Sequence, residues 1–569
     1  MDIDVVLKKI EAKQEVKSYE LLPLLKTQKV ADRVSVNMRL AQAYFQAGDI
    51  PEAESLIKRA FVLSDFSAEV LPVYLKIFET TKNVEAIKFA YKRVALKLFN
   101  EGNIAEAIIC FNKWQYAYAS QLQIDKYDFD YDILQTIESY SRGLFAGHKV
   151  SDPAKGKIKI GYLLVHFLDP GSVLIKLDKL FAKYYDRDKF EVWYFVVESE
   201  TAVQSSPHGQ QLAKYFKDYG CKMLYMNYEG DSNVTLIKFA ERIADCKIDI
   251  LITSAALSGF ENYFVASFRP APLMLAVVHG PVAQYVTNIF DYAINSFDMH
   301  QTDTACNSEQ ISIELEIEKR PEGPASKKID FGIPEEAVVL LCGGRLVKFQ
   351  DVRCWQALFK LIDKYPNAYL FVIGFSEDMF TFKELLTPAV LAKTTFFKWT
   401  ANYQDMLDMA DIYIDGYPMG GGVLMIEIMS RGIPVISFEH NYLKYFDGSE
   451  GSASSEVSGI RETYVERENF TDFEDKISSL IENKTMRLQI GADCKEKISK
   501  LRSDPARMVR RYEEVYSKLI VEKFKTQSSL KEGKEYRLEL DLFRNLKFKT
   551  MVNYFIRSVR LRLVRKFGK

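Results

Sequence analysis

The spacing of apolar residues changes near residue 150, and that change divides the chain. Up to about residue 145, apolar residues recur every three or four positions with few glycines or prolines, which predicts amphipathic helices. Within this region the stretch LAQAYFQAGDIPEAESLIKRA places Ala41, Tyr44, Gly48, Ala53 and Ala60 at the spacings of a tetratricopeptide repeat, whose small residues let paired helices pack closely. Glu85-Ala86 follows Glu52-Ala53 by 33 residues, whereas Ala107, with Gly102 and Phe111, follows Ala86 by only 21. The repeat is therefore degenerate, and an ordinary helical bundle accounts for the same periodicity.

From Lys155 the pattern turns to short apolar runs separated by helical stretches. Runs at 157–165, 190–197, 223–226 and 249–252 read as strands, with helices at 172–185 and 233–244 between them. A second series begins at 337–342 and continues through 368–373, 395–397, 412–414 and 434–437. Strand and helix in alternation predict parallel sheets covered by helices on both faces. The fold class read from the pattern is α/β, with two facing Rossmann-like domains behind an all-α domain. Its segments are a helical domain at 1–150, a first α/β domain at 155–300, a polar linker at 301–333, a second α/β domain at 334–505 and a helical tail at 506–569. Open sheets of this kind bind ligands beyond the carboxyl ends of their strands, so the space between two such domains is the first place to look for chemistry.

Charge and cysteine usage narrow the function classes. The formal net charge of −1 gives no global pull toward nucleic acid. Seven dispersed cysteines without a C-x-x-C pair argue against a disulfide framework or a structural zinc site, and for a reducing compartment. No basic, apolar leader opens the chain and no run reaches the roughly 18 apolar residues of a membrane span, so a cytoplasmic location is expected. The end of the chain differs: Arg544 to Lys569 is basic, with Val552, Phe555, Ile556, Val559 and Leu563 on one side of a helix. Such a segment either lies on an anionic membrane surface as a peripheral contact or packs back on the body with a solvated basic face. Asp125, Asp128, Asp130 and Asp132 sit in the helical region and read as a solvated acidic turn; no metal is expected.

Candidate chemistry gathers after the strands of the second α/β domain. Gly343-Gly344 ends one apolar run and is followed by Arg345 and Lys348: glycines allow close approach to a ligand, and two cations can neutralise a departing diphosphate. Gly420, Gly421 and Gly422 lie between the 412–414 strand and a helix, so backbone N–H groups at that helix start form an anion site. Glu427, two turns along the same helix, can accept hydrogen bonds from ribose hydroxyls. Lys398 and Trp399 follow the 395–397 run and can face a base, although core packing explains Trp399 equally well. In the first α/β domain, His166, Asp169 and His279 are candidates for a direct catalytic role, each with a structural alternative.

Taken together these segments resemble the nucleocytoplasmic O-linked N-acetylglucosaminyltransferases and the plant SPINDLY proteins. The resemblance runs from about residue 35 to 440. It rests on the repeats, Lys157-Ile-Lys-Ile-Gly-Tyr162, Lys189-Phe-Glu-Val192, Asp249-Ile-Leu-Ile252, Arg269-Pro-Ala-Pro272, Gly280-Pro281, Asp291-Tyr292, Pro418 with the glycine loop, and Gly432-Ile-Pro434. It implies a GT-B fold, Lys348 on the donor diphosphate, and Glu427 in place of an aspartate on the ribose. Two departures stand out. Asp169-Pro170-Gly171 occupies the place of the family's Asn-His-Pro, and Gly422-Val423-Leu424 that of its His-Thr-Thr. The resulting expectation is a metal-independent transferase. It would move a hexose or N-acetylhexosamine from a UDP-linked donor to a protein acceptor, without a further cofactor, and the resemblance points to inversion at the anomeric carbon. Two rivals keep the same scaffold: a membrane-associated enzyme acting on a lipid-linked surface glycan, and a non-catalytic scaffold with a degenerate nucleotide site.

Overall fold

The computed structural model describes residues 3–14, 16, 18–26, 29–119, 131–141, 144–145, 148–253, 259–278, 289–296, 306–316, 326–398, 403–417, 420–438, 457, 460–466 and 468–529. Two compact units emerge. One is helical and consists of Met1–Gln121 with Asp130–Ile137 and Glu229–Thr235; the other holds both α/β series. The basic segment 544–569 and the acids Asp125, Asp128 and Asp130 lie outside the described residues. Among the described residues, no helix is long and apolar enough to cross a membrane.

The helical unit is built from hairpins. Val30–Ala47 packs against Ile50–Leu63, and Val84–Asn100 against Ile104–Ala119. Ala41, Ala53 and Ala60 are fully buried, so no side chain holds the first pair of helices apart. Gly48 reverses the chain at φ +89°, a left-handed conformation that costs glycine little, and Asp49 then caps the next helix by accepting from Glu52 N. Asn83 repeats the cap on Ala86 N at 3.1 Å, and Gly102 repeats the left-handed turn at φ +80°. Asn233 accepts a hydrogen bond from Ala105 N at 3.2 Å, which ties the 229–235 segment to this unit.

The second unit contains two parallel sheets. The first comprises β1 (Ile158–Leu164), β2 (Phe190–Val196), β3 (Lys222–Tyr225), β4 (Ile250–Thr253), β5 (Leu273–Val278), β6 (Tyr292–Asn295) and β7 (Asn307–Gln310), in the order β3-β2-β1-β4-β5-β6-β7. The second comprises β8 (Val338–Gly343), β9 (Ala368–Ile373), β10 (Thr394–Phe397), β11 (Ile412–Ile414), β12 (Val435–Phe438) and β13 (Tyr464–Val465), in the order β10-β9-β8-β11-β12-β13. The central strands are apolar without alternation because helices cover both faces. Each sheet reverses its order beside its first strand, between β1 and β4 and between β8 and β11. That reversal opens the crevice in which doubly wound sheets bind ligands.

Two segment boundaries shift. The polar stretch read as linker from residue 301 contains β7, which pairs with β6 at the rim of the first sheet. An edge strand reading Asn-Ser-Glu-Gln carries no apolar signal. The helix Pro505–Ser529, read as the start of a tail, returns to the first α/β half. Its Tyr512 ring lies 4.8 Å from that of Phe181, its Tyr516 hydroxyl meets that of Tyr162 at 3.1 Å, and Glu513 accepts from Asp186 N at 2.6 Å. Both tyrosines are buried, so this helix is part of the core of the first half.

Candidate donor site

The site forms where β8 and β11 end side by side. Gly343 closes β8 against the first turn of the Val423–Ser430 helix; a Cβ there would stand 2.7 Å from Leu424 Cδ2. Gly344 turns away at φ +146°, a conformation that glycine adopts without strain. A short 3-10 turn, Leu346–Lys348, then brings the Lys348 side chain back to the glycine loop, where Nζ donates to Gly420 O at 3.1 Å. β11 ends at Ile414 and delivers the next residue, Asp415, to the same place. Its carboxylate is almost wholly buried, accepting from Gly421 N at 2.8 Å and from Ser437 Oγ at 3.2 Å. The buried Tyr413 hydroxyl donates to Gly343 O at 3.1 Å, which fixes the mouth of β8.

Electrostatics mark Lys348 as the poised group. Desolvation pushes its ammonium below the usual lysine range; Asp415 pulls it back, and the nearby charge of Arg345 adds to the push. An arriving anion would restore what desolvation removes. The Val423–Ser430 helix starts beside it at Gly422 with no side-chain cap, so its first N–H groups remain available to the same anion. Space is tight: a Cβ on Gly421 would stand 3.3 Å from Lys348 Nζ and 3.5 Å from Asp415 Oδ1. Gly421→Ala should therefore displace the ammonium and weaken nucleotide binding about 10-fold, a shift of about 1.4 kcal/mol, with little change in thermal midpoint. Calorimetric titration checks it; unchanged affinity would show that the ammonium's position is unimportant.

The expected site residues do not all converge. Gly343, Gly344, Lys348, Gly420 and Gly421 form one cluster, with Gly422 starting its helix. Arg345 is exposed at its margin and bears on it through charge. Glu427 is buried on the same helix, where it pairs with Lys176 and accepts from Tyr403 OH at 3.0 Å. Lys398 is exposed at the end of β10; the Ser376 hydroxyl, and beyond it the charge of Lys398, hold Asp378 below the usual carboxylate range. Trp399 and His279 lie outside the described residues.

In the first sheet, His166 is exposed just beyond β1 at φ +62°, a left-handed and strained conformation for a histidine. Asp169 is also exposed and its carboxylate accepts from Gly171 N at 2.9 Å, so it shapes the turn that follows. Beside them Glu198, at the end of β2, accepts from Phe167 N at 2.8 Å. Burial pushes its carboxyl up, against the pull of backbone donors and of His166.

The sequence reading gave no role to Asp415, Ser437, Glu198, Lys176 or Tyr403. Asp415 carried a usable signal, an acid directly after an apolar strand. Lys176 carried none, since its partner is 251 residues away. Among the described residues, no three histidine, cysteine or acidic side chains gather as a metal-ligand set.

The second α/β half coincides with a known family: residues 325–497 match the model described as glycosyl transferases group 1. An O-GlcNAc transferase mutant from Thermobaculum terrenum superposes with a TM-score of 0.58 at 14% identity, covering 93% of this chain and 99% of that one. A glycosyltransferase from Rickettsia africae gives 0.48 at 16% identity, covering 64% and 99%. A search of curated proteins finds none that matches the chain by sequence. The fold is that of the GT-B glycosyltransferases, with a helical region ahead of two Rossmann-like domains.

Proposed function

We propose that the chain moves a hexose or N-acetylhexosamine from a UDP-linked donor to a protein acceptor, with charge on the leaving diphosphate met by Lys348 and the helix start at Gly422. The observation that carries this reading is the placement of Lys348. It is a partly desolvated ammonium at the crevice between β8 and β11, resting on Gly420 O beside an uncapped helix start. As the bond from the anomeric carbon to the diphosphate oxygen breaks, its electron pair stays on that oxygen. A fixed cation and aligned N–H groups stabilise this developing charge without reorganising. The acceptor oxygen forms the new bond to the anomeric carbon and gives up its proton. His166 and Asp169, exposed beyond β1, and His279 are the acceptor-side candidates for taking it.

In this reading Lys348, supported by Arg345, does the work that a metal does in other transferases, and Glu427 receives the ribose. The protein acceptor is proposed from the helical unit, whose paired helices suit peptide presentation, and from the superposition on an O-GlcNAc transferase, which covers 93% of this chain. The test is a thermal-shift screen with UDP, GDP and dTDP and their sugars, with and without EDTA. UDP at 100 times its Kd should add about 2.7 kcal/mol of stability, unaffected by EDTA. Loss of the shift in EDTA would overturn metal independence, and no shift with any nucleotide would favour the scaffold reading.

A further inference from the structure

Glu427 meets two side chains beyond its own helix. Lys176, on the helix Val173–Tyr184 of the first α/β half, pairs with Glu427 Oε1. Tyr403 donates to Oε2 at 3.0 Å, and Lys176 Nζ also donates to the Tyr403 hydroxyl at 3.3 Å, so the three groups form a closed triangle. The Glu427 side chain is 8% exposed and that of Lys176 21%. Helix Val423–Ser430 is anchored behind it, where Arg431 donates to Glu427 O at 2.9 Å and Ser430 at 2.7 Å.

We infer that Lys176, acting with Tyr403, is a positioning residue for nucleoside recognition, supplied to the donor site by the opposite α/β half. The inference rests on Glu427 as the ribose carboxylate. A carboxylate has about four lone-pair sites, and Lys176 and Tyr403 each take one on separate oxygens. One site per oxygen then remains, the number that a vicinal diol requires. A carboxylate so enclosed has lost much of its hydration and needs a cation or donors to hold it in place. Lys176 provides the cation, and Tyr403 sets the plane of the carboxylate. Since Lys176 belongs to the first half and the glycine loop to the second, the ribose site is complete only when the two halves stand as they do here. Recognition of the diol and closure of the halves are then one linked equilibrium.

The experiment is calorimetric titration of the wild type, Lys176→Met, Lys176→Arg, Glu427→Gln and the Lys176→Met/Glu427→Gln double variant, each with UDP and with 2′,3′-dideoxy-UDP. The wild type should prefer UDP by at least about 10-fold, the worth of one good charge-assisted hydrogen bond. Lys176→Met should abolish that preference and leave dideoxy binding unchanged, Lys176→Arg should restore most of it, and the double variant should bind no more weakly than Glu427→Gln alone. Equal or tighter UDP binding by Lys176→Met would overturn the inference, because the lysine would then be a bystander or a competitor for the carboxylate. Equal loss of both ligands would also overturn it, as the signature of general structural damage. A wild type that binds both ligands alike would instead overturn the role of Glu427, and the inference with it, while leaving the diphosphate site standing.

Discussion

Replacing Lys348 by methionine should lower sugar transfer by about 10² to 10³-fold and raise the thermal midpoint of the ligand-free protein. On the proposed reading, the loss follows from removing a fixed charge that would meet the leaving diphosphate, the class of contact whose deletion costs that much in kcat. The gain follows from the sign of the lysine's shift. Desolvation holds Lys348 below the usual lysine value, so at neutral pH the folded state carries a charge that the unfolded chain hydrates better. That cost is present in full below the lowered pKa and disappears as pH rises from it to the ordinary lysine value. The advantage of the methionine variant should therefore be greatest near neutrality and shrink in alkali. Over the same range, kcat/KM of the wild type should fall as Lys348 deprotonates. Calorimetry and a pH–rate profile check both arms; a destabilised methionine variant would show that Lys348 serves the fold.

Asp415→Ala should fail in the opposite sense, losing donor affinity by about 10²-fold and stability by about 3 kcal/mol. Its carboxylate meets Gly421 N and Ser437 Oγ, both buried in the same corner, and its charge offsets that of Lys348. Truncation would strand two donors, each costing about 1–3 kcal/mol, and free the glycine loop that Lys348 rests on. Asp415→Asn should keep most of the fold and still weaken binding, because the amide carries no charge. Urea unfolding together with nucleotide titration checks the pair. A stable alanine variant would mean that the loop is held elsewhere. On the proposed reading, Lys348 and Asp415 should therefore show stability effects of opposite sign, which would separate a cation that meets the ligand from an anion that holds the loop.

Much of this architecture was legible because strand and helix periods differ. The runs at 157–165, 190–197 and 368–373 became β1, β2 and β9 with shifts of a residue or two. β7 escaped because an edge strand needs no apolar side chains, and the return of Pro505–Ser529 escaped because a helix does not reveal which surface it will cover. The meeting of Gly343, Gly344, Lys348 and the glycine loop was readable because each follows the end of a strand, and those strands proved to be neighbours. Glu427 was singled out without its partners, since Lys176 and Tyr403 meet it only through tertiary packing.

The helix Pro505–Ser529 also sets the order in which the protein can be made. Chains emerging from a ribosome usually complete their domains from the amino end. Here Tyr162 and Phe181 of the first α/β half wait for Tyr512 and Tyr516. The second half, whose strands run from β8 to β13, emerges complete while the first still lacks its covering helix. During synthesis the half encoded first is therefore the half finished last, its aromatic faces uncovered until the end of the chain supplies Tyr512 and Tyr516.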